Sequence, residues 1–222
     1  AHIVLALVGN NYVAFSADAN VDRKNRAKTP LHVAAAAGHA EIVNLLLAND
    51  ANCFATTHEN IPASHIAAAF SGDAAAAMLR DLVAAMRAKN VRSPAGVRDG
   101  RKQTLLHAAA RGGSAAGMQF LLKDLARDYS QDEPVRLKML NAMDRWRRTA
   151  LHWAVLNGHV ECTRLLLEAG AEPQPRWSAA KRSKSTHLPY ESPLELAERR
   201  GESPEIIRLL RQALETAKKS KS

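Results

Sequence analysis

The chain has 222 residues, of which 46% are apolar, 24% charged and only 5% aromatic. That length supports one or two domains with a buried core, and scarce aromatics beside abundant alanine favour close-packed helices over an aromatic-rich β-sandwich. The formal net charge of +9 points to acidic partners, and no apolar run is long enough for a transmembrane helix.

Two cysteines, Cys53 and Cys162, stand far apart with no CxxC spacing. Neither a disulfide framework nor a zinc knuckle is expected, and a reducing compartment is the default. The opening AHIVLALVG lacks the basic start of a signal peptide and begins without Met, so residue 1 reads as a cut or processed end.

From about Asp18 onward one pattern recurs. It runs TPLHVAAAAGH around His32, IPASHIAAAFSGD around His65, TLLHAAARGG around His107 and TALHWAVLNGH around His152. A last version, SPLELAERRG, puts Glu195 at the marker position. Where a Thr opens the motif its side-chain oxygen caps a short helix, and where a Pro follows, as in TPLH and SPLE, it fits the first turn, in which a missing N–H costs nothing. Leu31, Leu106, Leu151 and Leu194 enter the apolar layer, and the small residues after them let helices approach closely. Gly38, Gly113, Gly158 and Gly201 end the helix where a left-handed residue is needed. A second helix follows, with Ile42, Val43, Leu45, Leu46 and Leu47 on its apolar face in one unit and Leu165, Leu166 and Leu167 in another.

These units resemble the ankyrin repeat, with its period of roughly 33 residues and its T-P-L-H-x-A signature. The resemblance implies an all-α solenoid of stacked helix-turn-helix pairs, because no pair can cover its own apolar face. Repeats are expected over 21–56, 57–97, 98–143, 144–175 and 191–215. Residues 1–20 form a truncated repeat whose second helix is His2 to Val8 and whose exit is Ala17 to Asn20. Residues 176–190 make a basic inserted loop, and 216–222 a basic tail beyond a polar C-terminal cap.

Residues 98–143 exceed one period by about a dozen. The excess predicts a second helix lengthened to near Tyr129 and an added helix from Val135 to Met143, with Leu137, Leu140 and Met143 on one side.

No catalytic constellation emerges. G-x-S-x-G, H-E-x-x-H, P-loop and G-x-G-x-x-G patterns are absent from the sequence. The repeating histidines stand one helix-packing distance apart, roughly 10 Å, while metal ligands converge at about 2 Å. The resemblance implies instead that each imidazole hydrogen-bonds between its turn and the next unit. Cys162 lies in a leucine-rich helix and reads as a buried, inert thiol. The chain is therefore expected to be no enzyme and to need no cofactor or metal.

Function is expected in turns and inserts. The tips preceding each T-x-L-H are basic: Arg23, Lys24, Arg26 and Lys28 in one, Arg98, Arg101 and Lys102 in another, and Arg145, Trp146, Arg147 and Arg148 in a third. THENIP in the second unit interrupts that row. By the resemblance, such tips line one edge of the concave, partner-binding side. An exposed Trp among arginines is costly unless it contacts something. The loop adds Arg176, Trp177, Lys181, Arg182 and Lys184. The expected partner is a protein with an acidic surface, with RNA as the alternative through phosphate contacts and base stacking. The protein is expected to act as a monomer or a subunit of a larger complex, without inserting into a membrane, or as the regulatory domain of a longer enzyme. Its location is expected to be cytoplasmic, with the nucleus as the alternative on account of KRSK and KKSK.

Overall fold

The computed structural model of the chain describes residues 4–8, 11–15, 28–174, 191–201 and 203–219. Eleven helices lie among them: α1 (Pro30–Ala37), α2 (Ala40–Ala48), α3 (Ala63–Ala69), α4 (Ala74–Ala88), α5 (Leu105–Gly112), α6 (Ala115–Asp128), α7 (Glu133–Leu140), α8 (Ala150–Leu156), α9 (Val160–Glu168), α10 (Pro193–Arg200) and α11 (Pro204–Lys219). Apart from α7 they form five pairs, a short helix followed by an equal or longer one, as the repeating sequence requires.

Each short helix starts on a device written in the T-x-L-H motif. Thr29 is extended (φ −82°, ψ 164°) and both its N–H and its hydroxyl donate to Nδ1 of His32, at 3.1 and 2.7 Å. Thr104 with His107 and Thr149 with His152 repeat the arrangement at 2.8 Å between side chains. The opposite ring nitrogen faces a carbonyl of the following unit: Ile61 for His32, Arg148 for His107 and Glu191 for His152. A carbonyl only accepts, so Nε2 carries the proton and Nδ1 is the acceptor. The ring is a neutral bridge fixing one unit to the next. In the last unit Ser192 and Glu195 form the corresponding box with a carboxylate instead. Gly38, Gly113, Gly158 and Gly201 follow in the left-handed region.

The second unit departs from this pattern. Pro62 occupies the threonine position with nearly the same backbone (φ −70°, ψ 155°), so His65 keeps its bond to Gln103 O at 2.9 Å but Nδ1 is buried without a partner. Replacing Pro62 by Thr supplies two donors to that nitrogen. We expect Pro62→Thr to raise the free energy of unfolding by about 1 kcal/mol in urea titrations, after the loss of proline rigidity. A destabilised variant would show that His65 is satisfied in another way.

The short helices stack on one another in the order α1, α3, α5, α8, α10, and the long ones in the order α2, α4, α6, α9, α11. The core runs between these two layers, with Leu31, Met78, Leu82, Leu106, Leu121, Leu151, Leu166 and Leu210 buried along its length. Alanines make the stacking close: Ala34, Ala35, Ala67, Ala68, Ala108, Ala109 and Ala154 are all buried. Leu194 is only partly buried. Leu45 is a correction to the predicted apolar face, standing 48% exposed because the following unit packs against Val43 and Leu46 on the other side of α2.

At the start, Val4–Val8 and Asn11–Phe15 pair as an antiparallel hairpin, which replaces the helix expected over His2 to Val8. Its strands carry β-branched Val4, Val8 and Val13, residues that favour extended backbone over helix. The predicted exit at Ala17 to Asn20 lies outside the described residues.

The long third unit has the lengthened second helix and an added helix, but the latter is shifted toward the N-terminus and leaves out Met143. Helix α6 ends at Asp128, and Arg87 of α4 donates to Asp124 and Asp128 at 2.9 and 2.7 Å, tying the two outer helices together. Helix α7 begins slightly earlier than predicted, with the Asp132 carboxylate accepting from Val135 N, and ends at Leu140, before Met143. Its buried Leu140, its Leu137 against Gly170 and the bond from Arg136 to Ala169 O pack it onto the stack. No described helix is long and apolar enough to cross a membrane.

Candidate functional site

The chain before α3, α5 and α8 folds into a tight tip, and buried aspartates build the tips of the third and fourth units. Asp99 Oδ1 accepts from the backbone N–H groups of Arg101 and Gln103, both at 2.8 Å. Asp144 Oδ1 accepts in the same way from Trp146 and Arg148, both at 2.9 Å. Lys102 and Arg147, at corresponding positions, are held at φ 59° and 62°, and Asn60 at 55° in the second unit. Asn tolerates this left-handed backbone; for the two cations it costs about 1 kcal/mol. Adjacent tips are joined along the edge by backbone bonds, Gly100 N to Asn60 O at 2.9 Å and Arg145 N to Arg101 O at 3.0 Å. The row anticipated from sequence is thus a connected rim.

Trp146 sits on this rim 41% exposed. It meets Trp153 of α8 edge to face, with centroids 6.1 Å apart and planes at 70°. The Arg145 guanidinium lies over the Trp146 ring at 5.0 Å and that of Arg148 over Trp153 at 5.2 Å. Trp153 is itself anchored, its indole N–H donating to Asp144 Oδ2 at 2.8 Å. Asp144 therefore fixes the Trp146 backbone and the Trp153 indole, and each guanidinium rests on one ring, so part of the freedom that binding would remove is already lost.

The other predicted tip residues divide. Arg101 is ion-paired with Glu59 from the interrupting THENIP turn. Lys102 is exposed. Arg98 serves the architecture, donating to Lys102 O and Met143 O at 3.1 and 2.9 Å. Lys28 is exposed. Arg23, Lys24 and Arg26, and the whole loop set of Arg176, Trp177, Lys181, Arg182 and Lys184, lie outside the described residues.

Sequence reasoning missed four members of the site: Trp153, Asp144, Gln103 and Arg111. The buried Gln103 donates from Nε2 to Asp144 Oδ2 at 3.2 Å, and its Oε1 accepts from Arg111 of α5 at 3.0 Å. A signal for Asp144 was present, because Asp99 and Asp144 stand at the same place before Thr104 and Thr149. None marked Gln103 or Arg111, whose roles exist only across units.

The histidines offer no chemistry. Burial lowers the pKa of His32, His65, His107 and His152, the last to about 4. Protonating Nδ1 would also set it against the Thr N–H that donates to it. Burial likewise raises Cys53, and Cys162 to about 11, so both thiols stay protonated and inert. Among the described residues no cluster of His, Cys, Asp or Glu is arranged to hold a metal ion.

The family described as "Ankyrin repeats (3 copies)" matches residues 64–176, and "Ankyrin repeats (many copies)" matches residues 12–66. The chain belongs to the ankyrin-repeat family. Ankyrin stacks are in general protein-interaction modules, and this one carries an exposed Trp146 among Arg145, Arg147 and Arg148 at the tip before α8. It is also similar to a rice protein (Oryza sativa subsp. japonica) named Probable E3 ubiquitin-protein ligase XBOS32, with 31% identity over 161 residues. The alignment takes in 64% of this ankyrin chain and 31% of the rice protein, so the chain spans about a third of that relative's length.

Proposed function

We propose that this ankyrin stack is a non-catalytic binding module for an acidic protein partner, engaged through the rim of the third and fourth units. One observation carries the reading: Trp146 stands exposed, packed edge to face on Trp153 and under Arg145, with its backbone tied to Asp144. An exposed indole among cations, already packed on a second ring, has the character of an interface anchor. The strained backbone at Lys102 and Arg147 adds support, because glycine would remove that strain at the expense of a cation. The loop cations Arg176, Lys181, Arg182 and Lys184, with Trp177, belong to the same proposal as a second basic element. Ubiquitin ligation, carried in the name of the rice relative, enters this reading as an activity such a stack would serve by holding the protein acted upon.

The test combines Trp146→Ala with Arg147→Gly, which relieves the left-handed strain and so spares folding. We expect capture of the native partner to fall at least about tenfold while the thermal midpoint holds or rises. Unchanged capture by a folded variant would remove the rim from the interface. Competition with homopolymeric RNA reads out the alternative: displacement of the partner by RNA, falling steeply with salt, would make the same cations a phosphate-binding surface.

A further inference from the structure

Behind the rim stands an arginine that the sequence pattern gives no reason to single out. Arg111 projects from α5, half-buried, and its guanidinium donates from Nη1 to the amide oxygen of Gln103 at 3.0 Å. No carboxylate forms an ion pair with it among the described residues, although Arg87, Arg101, Arg127, Arg136, Arg164, Arg199 and Arg211 all have one. Its surroundings also oppose its charge: burial lowers its pKa first and the neighbouring Arg101 cation second, while Asp99 and Glu59 only partly compensate. A half-buried guanidinium without a counter-ion is costly to keep.

Gln103 explains how that cost is maintained in a fixed geometry. Its backbone N–H is bound to Asp99 and its carbonyl to His65, so the residue cannot turn away. Its side-chain amide then joins two elements, accepting from Arg111 and donating to the Asp144 oxygen that holds the Trp153 indole. Three hydrogen bonds in series therefore set Arg111 relative to the Trp153–Trp146 pair.

We infer that Arg111 is the seat for one carboxylate of the partner, placed beside the Trp146–Trp153 aromatic pair, so that the recognised element is an acidic side chain next to an apolar one. Arg111 supplies the forked donor that matches a carboxylate, and the two indoles take the apolar neighbour. Gln103 is a positioning residue, touching the partner through neither amide atom but fixing the spacing between the two subsites. This inference rests on the rim being the binding surface.

The experiment uses the full chain and a displayed library of random peptides, selected on the wild-type protein and then titrated one by one. Enriched peptides are expected to pair Asp or Glu with a Phe, Leu or Trp. Changing that acid to Gln in the peptide and Arg111 to Gln in the protein makes a double-mutant cycle. Each single change should weaken binding about tenfold or more, and the two together no further than one alone. Arg111→Lys, which keeps the charge and loses the fork, should recover only part of the affinity. Gln103→Leu should lower the preference for the acidic over the Gln peptide, a readout that a merely structural role would leave unmoved.

Additive effects in the cycle, or enriched peptides without an acid, would overturn the seat. If such peptides still lose binding with Trp146→Ala, the rim remains the interface and only the inference fails. Coupling to Arg111 that is indifferent to Trp146→Ala would instead sink the aromatic half of the recognition. Selection of no peptide that depends on either residue would overturn both.

Discussion

Gly112→Ala is expected to cost more than about 3 kcal/mol of stability and to leave little folded protein at 37 °C. A Cβ built at Gly112 would lie 1.9 Å from the carbonyl oxygen of Ala69, 2.6 Å from its carbonyl carbon and 2.7 Å from its Cα. All three are backbone atoms at the end of α3, so nothing there can rotate aside. Accommodating one methyl group means prising α5 from α3, and the break would pass through the layer that holds Ala67, Ala68, Ala108 and Ala109. Gly201→Ala is the matched control. It has φ 66° and nothing within 4 Å of its would-be Cβ, so it should cost only about 1 kcal/mol, from backbone strain. Urea unfolding followed by circular dichroism measures both. A Gly112→Ala protein within 1 kcal/mol of wild type would mean that the short helices are not packed this closely.

Acid is expected to destabilise the stack progressively from about pH 6.5 downward, through its buried histidines. The bridging histidines are neutral when folded and have pKa values below the ordinary 6.5, so the unfolded chain takes up protons first as the pH falls. Stability is therefore full above about pH 6.5 and declines below it. For His152, with a folded value of about 4, the decline spans that interval and reaches roughly 3 kcal/mol. His32, His65 and His107 act in the same direction. Thermal midpoints measured from pH 7.5 to pH 4.5 should fall continuously, and His152→Gln should start less stable but lose less over the interval. The net charge of +9 adds repulsion of the same sign, but salt screens that term and leaves the histidine term in place. A midpoint that is flat across the interval at high salt would show that the imidazoles are not buried neutral bridges.

The imidazoles also mark the boundary between what was readable from residues and what was not. Thr29 with His32, Thr104 with His107 and Thr149 with His152 are local, three positions apart, and local spacing is what a sequence displays. The receiving carbonyls, Ile61, Arg148 and Glu191, are supplied by the next unit, and only the resemblance to the ankyrin repeat implied a bond of that kind. In contrast, the first residues were misjudged as a helix because an apolar stretch of that length satisfies a short helix and a short strand equally well. Leu45 was misjudged because its leucine run offers more apolar side chains than α2 has buried positions. Of the proposed binding surface, the tips were legible as clusters of cations. Which cations remain for a partner was not: Glu59 takes Arg101, and Arg98 is used to brace its own turn.

The sequence by itself determined the unit: its paired helices, its caps, its left-handed glycines, its recurring histidines and the basic character of its turns. All of these depend on residues within a few positions of one another, or on the regular repetition of such groups. Only the tertiary structure decided that Gly112 faces a carbonyl of α3, that Asp144 holds Trp153 and the Trp146 tip, and that Gln103 connects them to Arg111. Those contacts join side chains from different units, and a periodic sequence states that neighbours stack without stating which atoms meet.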